Sequence, residues 1–215
     1  MAQVAVGDFN GDGRRDLAVG VPGEFVDRGQ VNIIYGAGTG LSATAGPGIQ
    51  TFDQSRLVGG WENDDAFGSS LAAGDFNGDG RADLAVGVPN EQVGSVGNAG
   101  AVNVIYGSST GLSATAGPGN QLWHQNSSGI AGSAEPNDHF GAVLSAWNFG
   151  LGSQADLVIG IPDEDLGDKV DAGAVTVMYG RASGLSSANS QLWAEDSPGV
   201  AGDPEDGDRF GGAIY

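Results

Sequence analysis

An all-β fold built of β-propeller blades is predicted by three features of the sequence: a long internal repeat, short alternating apolar runs, and Gly or Pro in almost every window. Residues 7–22 read GDFNGDGRRDLAVGVP and residues 74–89 read GDFNGDGRADLAVGVP, identical at fifteen of sixteen positions. Residues 40–48 and 111–119 are both GLSATAGPG. A third, diverged copy is marked by Asp156, Leu157, Val158, Ile159, Gly160, Ile161 and Pro162. Other landmarks keep step: Tyr35-Gly36, Tyr106-Gly107 and Tyr179-Gly180, then Phe67-Gly68, Phe140-Gly141 and Phe210-Gly211. Each Phe-Gly has an acid two residues before it, Asp65, Asp138 or Asp208, and the period is 67 to 73 residues.

Within one period four strands are expected, at 67–74, 83–88, 99–106 and near 121–125 in the second copy. The second of these carries Leu84, Val86 and Val88 on one face and only Ala85 and Gly87 on the other, so a neighbouring sheet can approach closely. A four-stranded unit at this spacing suits a propeller blade. A β-helix needs a shorter period, and a sandwich has no need of near-identical copies. The units divide at 1–66, 67–139 and 140–209, with 210–215 opening a fourth; the first lacks its Phe-Gly. Three blades are too few for a ring, since known propellers have about four to eight. Closure is therefore expected from further repeats or from a homo-oligomer joined through open, apolar blade faces.

Composition narrows the partners. Acidic residues outnumber basic ones 27 to 8, a net charge of −19, which disfavours nucleic acid and anionic membrane surfaces. Such a balance suits a cation, a basic partner or neutral glycans. With no cysteine there are no disulfides or thiolate metal sites. No apolar run reaches the roughly 20 residues of a membrane span, so membrane insertion is not expected. The sequence opens on a strand-like segment, and no signal peptide is expected within this stretch.

Phe-Gly opening the unit, a DxNxDGxxD loop and Gly-Val-Pro closing the second strand together resemble the FG-GAP repeat of the integrin α-subunit N-terminal propeller. The resemblance covers the whole chain. It implies a calcium-binding module for extracellular or cell-surface binding and adhesion, with partners recognised on the loops away from the calcium hairpins.

The residues of the loops support the metal independently. Asp8, Asn10, Asp12 and Asp16 occupy positions 1, 3, 5 and 9 of the first loop, and Asp75, Asn77, Asp79 and Asp83 those of the second. Three carboxylates and an amide oxygen in nine residues are hard ligands, favouring calcium over softer metals. The resemblance implies a backbone carbonyl at position 7, from Arg14 and Arg81, whose side chains are expected to point away. An EF-hand is excluded, because position 12 is Val19 or Val86, inside a strand, where that loop needs a Glu. In the third loop, 148–156, position 1 is Asn148 and positions 3 and 5 are Gly150 and Gly152, leaving only Asp156. Two calcium sites are expected, not three.

Nothing points to catalysis. His124 and His139 have no motif around them, and no nucleophile elbow, phosphate loop or zinc spacing is present. Glu24, Glu91 and Glu164 recur two residues after the Pro of each copy, which suggests a turn or cap. Trp123 and Trp193 stand where the first copy has Phe52 and are expected in blade packing, or, if exposed, on sugar rings. Trp147 is expected to fill space beside the degenerate loop. The chain thus reads as a non-catalytic calcium-binding module for a protein or glycan ligand. The alternatives are a lectin-like propeller and an accessory propeller of a secreted enzyme.

Overall fold

The computed structural model of the chain describes residues 3–214. Met1, Ala2 and Tyr215, the outermost residues of the first unit and of the fourth start, lie outside the described residues. Three antiparallel sheets follow one another along the chain. The first holds β1 (Val4–Gly7), β2 (Asp16–Val21), β3 (Gln30–Ala37), β4 (Gly40–Ser42) and β5 (Gln50–Phe52). The second repeats this as β6 (Ser70–Gly74), β7 (Asp83–Val88), β8 (Ala101–Ser108), β9 (Gly111–Ser113) and β10 (Gln121–Trp123). The third has β11 (Val143–Trp147), β12 (Asp156–Ile161), β13 (Ala174–Arg181) and one long strand β14 (Gly184–Trp193).

The second strand of the unit falls where the sequence places it. The first begins later, at Ser70, because Phe67 and Gly68 serve a different contact. The extra short strands β4 and β9 are hairpin extensions of β3 and β8. In the third unit the Gly-Pro-Gly turn is missing, so the last strand runs through, with a register break between Val177 and Tyr179.

Two cores result, one between each pair of sheets. Leu84, Val86 and Val88 join Val31, Ile33 and Phe67 in the core between the first and second sheets. Ala85, on the other face of β7, joins Phe140, Leu157 and Ile159 between the second and third. Phe52 is buried in the first core and Trp123 packs against the second. The inner strands β1, β6 and β11 lie side by side. A cavity of about 270 Å³ along them is lined by Gln3, Leu71, Leu144 and Ile214, one residue from each unit and from the fourth start. This is the layout of blades around an axis, and the described residues form no closed ring. The outward faces of the outer sheets carry exposed Val4, Val6 and Trp193.

Three recurring contacts join successive units. In the first, the Phe of each Phe-Gly donates its N–H to the preceding unit: Phe67 to Arg28 O at 3.0 Å, Phe140 to Ala99 O at 2.9 Å, Phe210 to Ala172 O at 2.8 Å. The residue after each acceptor, just before the third strand of the unit, is Gly29, Gly100 or Gly173, at φ 88°, 83° and 84°. A Cβ on any of them would collide with the Phe backbone, so both the conformation and the space require glycine.

The second contact runs from a buried tyrosine. Tyr106 Oη donates to Gln121 and accepts the N–H of Leu185 in the next sheet at 2.9 Å; Gln121 Nε2 then reaches Leu185 O at 3.1 Å. Tyr35, Gln50 and Leu112 repeat the arrangement one unit earlier.

The third corrects an expectation. Glu91 and Glu164 do close turns, with their N–H groups on Val88 O at 3.1 Å and Ile161 O at 3.4 Å, but their side chains cap nothing there; each is buried and accepts, at 2.6 Å, the side-chain amide of a glutamine from the preceding unit, Gln54 or Gln125. Burial pushes both carboxyls up to about 7, with the amide partner opposing the rise and Asp65 and Glu62, or Asp138, Glu135 and Asp165, adding to it.

Two outcomes follow. Replacing Tyr106 by Phe leaves the Leu185 N–H unpaired in the interior and should cost about 1–3 kcal/mol in urea unfolding. Tyr179→Phe should cost less, because among the described residues the Tyr179 hydroxyl meets only Gln191 of its own strand pair. The glutamates give a pH signature. An unfolded Glu loses its proton near 4.5 and the folded Glu91 near 7, so the stability from its neutral form is whole below 4.5 and is lost as pH rises through 7. Glu91→Gln keeps an acceptor for Gln54 without the charge. It should be more stable than the native chain at pH 8, by up to about 3 kcal/mol, and match it near pH 4.5; thermal melts across this range check it.

Candidate functional site: the acidic strand-linking loops

Each acidic loop joins the first two strands of its sheet, and its conformation is set by the loop's own side chains. Asp8 Oδ1 accepts the N–H groups of Gly11 at 2.8 Å and Asp12 at 3.1 Å, while Oδ2 accepts that of Gly13 at 2.8 Å. Asn10 Oδ1 takes the Asp12 N–H at 3.0 Å and Asp12 Oδ1 the Arg14 N–H at 2.9 Å. The second loop repeats every bond: Asp75 to Gly78, Asp79 and Gly80, Asn77 to Asp79, and Asp79 to Arg81. Short acceptors capping their own loop hold it in a tight coil. Neighbouring loops also touch, for Ala82 N–H donates to Asp8 O at 2.9 Å and Ala155 N–H to Asp75 O at 2.8 Å.

The last acid of each loop does something else. Asp16 is buried and accepts the N–H of Phe9 at 2.8 Å with one oxygen and of Gly36, on β3, at 2.8 Å with the other. Asp83 does the same with Phe76 and Gly107, and Asp156 with Phe149 and Gly180. This aspartate ties the loop's start to the third strand in all three units. It therefore survives in the third copy, where the other acids are gone. In that loop Asn148 Nδ2 instead bonds Gly152 O at 3.1 Å.

Two expectations about neighbours fail. The Arg14 and Arg81 side chains do not point away; they fold back to Asp12 at 3.4 Å and Asp79 at 3.5 Å, because positions 5 and 7 of so tight a coil share a side and carry opposite charge. Trp147 fills no space beside the third loop. It is 59% exposed, with its indole N–H on Ser145 Oγ at 3.0 Å, since the end of β11 projects beyond the packed part of the sheet. Trp61, which has no counterpart in other units, lies under Arg28 at 4.4 Å and edge-on to Phe25 at 6.1 Å. Those partners sit on a β2–β3 loop shorter than its counterparts, with Phe25, Val26 and Asp27 all in the left-handed region.

Burial pushes the Asp83 carboxyl up to about 7; two backbone donors hold it down, and the nearby charges of Asp75 and Asp79 raise it further. Asp16 is raised in the same way, with Asp8 and Asp12 contributing. The acids of each loop thus act on one another, a repulsion that a cation would relieve. Among the described residues no three Asp, Glu, His or Cys side chains are already gathered as metal ligands. The donor set still fits a hard cation. Each carboxylate oxygen engaged by one N–H keeps a lone pair, and Asn10 or Asn77 adds a neutral oxygen from the same turn.

The FG-GAP repeat family model matches residues 2–40 and 67–105. Curated relatives include the bovine phosphatidylinositol-glycan-specific phospholipase D, 34% identical over 184 residues, covering 82% of this chain and 20% of that protein. The mouse phospholipase is 41% identical over 108 residues, covering 48% of this chain and 12% of its own length. Integrin alpha-5 of Xenopus laevis is 30% identical over 193 residues, covering 88% of this chain and 16% of the integrin. The chain therefore spans a fifth or less of the length of these relatives. The chain is an FG-GAP repeat protein, with the repeat matched in its first two units and the strand order kept in a third whose loop has lost all but one of its acids.

Proposed function

We propose that the chain is a non-catalytic propeller module of the extracellular space or cell surface, stiffened by calcium at two of its three strand-linking loops, and serving binding or adhesion. One observation carries the calcium reading: two loops with the same sequence adopt the same coil, in which the charges of Asp8 and Asp12, or of Asp75 and Asp79, act on the buried aspartate that ends the loop. Asp8, Asn10, Asp12 and Asp16, with the Arg14 carbonyl, would hold one ion, and Asp75, Asn77, Asp79 and Asp83, with the Arg81 carbonyl, the other. Bound calcium supplies positive charge and fixes the turn. The chain's own residues supply the frame, since the position-9 aspartates anchor each loop to the sheet without it.

At about 2 mM calcium and a Kd of about 0.1 mM, each ion adds roughly 1.8 kcal/mol to stability. A specific observation favours one further use. The matches to phosphatidylinositol-glycan-specific phospholipase D suit a propeller attached to an enzyme, where it would bind and orient and leave the chemistry elsewhere.

Calorimetric titration of the metal-stripped chain should show two calcium sites, and Asp79→Ala should leave one. Neither zero nor three sites is compatible with this reading. Asp156→Ala should destabilise the chain equally with and without calcium, because its oxygens serve backbone N–H groups in a loop that lacks the other ligands. A calcium-dependent loss there would overturn the two-site assignment.

A further inference from the structure

At the end of the sheets away from the acidic loops, a cavity of about 330 Å³ opens between the first and second units. Its walls come from three segments: Gly59 and Glu62 after β5, Glu91 and Val93 on the β7–β8 loop, and Leu122 and His124 at the end of β10. Glu91 is only 5% exposed. One of its oxygens takes the Gln54 amide, and the other has no partner among the described residues, on the side where Glu91 lines the cavity. His124 Nδ1, by contrast with that open oxygen, is buried without a partner. A largely buried carboxylate with one oxygen left open to a cavity is a ready acceptor for a charged donor that enters it.

The corresponding place in the third unit has Ala194 for His124 and Leu166 for Val93, and it differs in charge as well. There the chain brings its own cations to the loop: His139 Nδ1 lies 2.8 Å from Asp163, and Arg209 pairs with the same carboxylate. In the second unit Asn90 stands for Asp163, Ala66 for His139 and His139 for Arg209, so the loop that carries Glu91 lacks the carboxylate that holds the third unit's two cations.

The geometry points to this cavity as a binding site for a primary alkylammonium group, such as a lysine side chain of a partner presents, with Glu91 and Glu62 receiving the ammonium and Leu122 and Val93 flanking its methylenes. A charge-assisted bond to a desolvated carboxylate is the strongest polar contact the site can make, and an apolar stem beside a charged head is how lysine itself packs. Anionic ligands are repelled by Glu62, Asp65 and Glu91. The titratable groups facing Glu91 are Glu62 and Asp65 after β5 and His124 across the cavity. Burial raises Glu91 and lowers His124, so ionisation of the first and neutrality of the second both favour the cation as pH rises.

The test uses n-butylammonium chloride, titrated into the full chain in calcium while the His124 ring resonances are followed by NMR. A saturable shift is expected at pH 8, weaker at pH 6 and absent with n-butanol. Glu91→Gln should weaken it by about tenfold or more, the loss of one charge-assisted bond, and Glu62→Gln, at an exposed position, should weaken it less. Glu164→Gln should leave it unchanged. No saturable shift at tens of millimolar, an equal response to butanol, or a shift that neither Glu91→Gln nor Glu62→Gln alters would each overturn the assignment. None of these outcomes depends on the calcium sites.

Discussion

One interaction recurs in every unit and underlies both fold and site: an aspartate whose two oxygens clasp backbone N–H groups from two places, the head of its own loop and the far end of the third strand. It spans the second strand, at whose first position it sits, and so fixes where the loop leaves the sheet. A buried carboxylate is costly to ionise, and two N–H donors offset that cost only while the surrounding backbone is in place. The other two aspartates of each complete loop are then free to order the turn. The third unit shows the division of labour. It keeps the clasp without the other acids, and its sheet is still formed.

The blades are joined by contacts that each use one residue type for one physical reason. Glycine admits the Phe-Gly backbone, a tyrosine hydroxyl serves as donor and acceptor at once, and a glutamine amide covers a buried glutamate. Each contact lies across the join between units, so each sheet is completed by its neighbour, as expected of a repeat whose units cannot bury both faces alone.

Much of this was legible in the residues. Near-identical copies located the second strand to the residue, and alternation on it told which face carried bulk. The loop's place between two strands followed from valine at position 12. What was not legible depended on partners distant in sequence. The glutamine that covers Glu91 lies 37 residues before it, and nothing local distinguishes that pairing from a turn cap. The double role of the last aspartate was equally hidden, since a ligand and a backbone clasp call for the same side chain, although its survival in the third loop was the signal. The arginines misled because their tight coil brings position 7 beside position 5, a proximity that spacing alone does not convey. Trp147 misled because a large apolar residue beside a gap invites burial, while the end of an inner strand has nothing packed over it.

In each complete loop the clasp belongs to the fold, and the turn is the part that the proposed cation would hold. Amide hydrogen exchange measured without and with calcium separates the two. The N–H groups of Phe9, Phe76 and Phe149 should be protected in both conditions, held by Asp16, Asp83 and Asp156. Added calcium should slow exchange at Gly11, Gly13, Gly78 and Gly80 and leave Gly150 and Gly152 unchanged. Protection of the three phenylalanine amides that appears only with calcium, or calcium slowing the third loop as much as the others, would contradict that division.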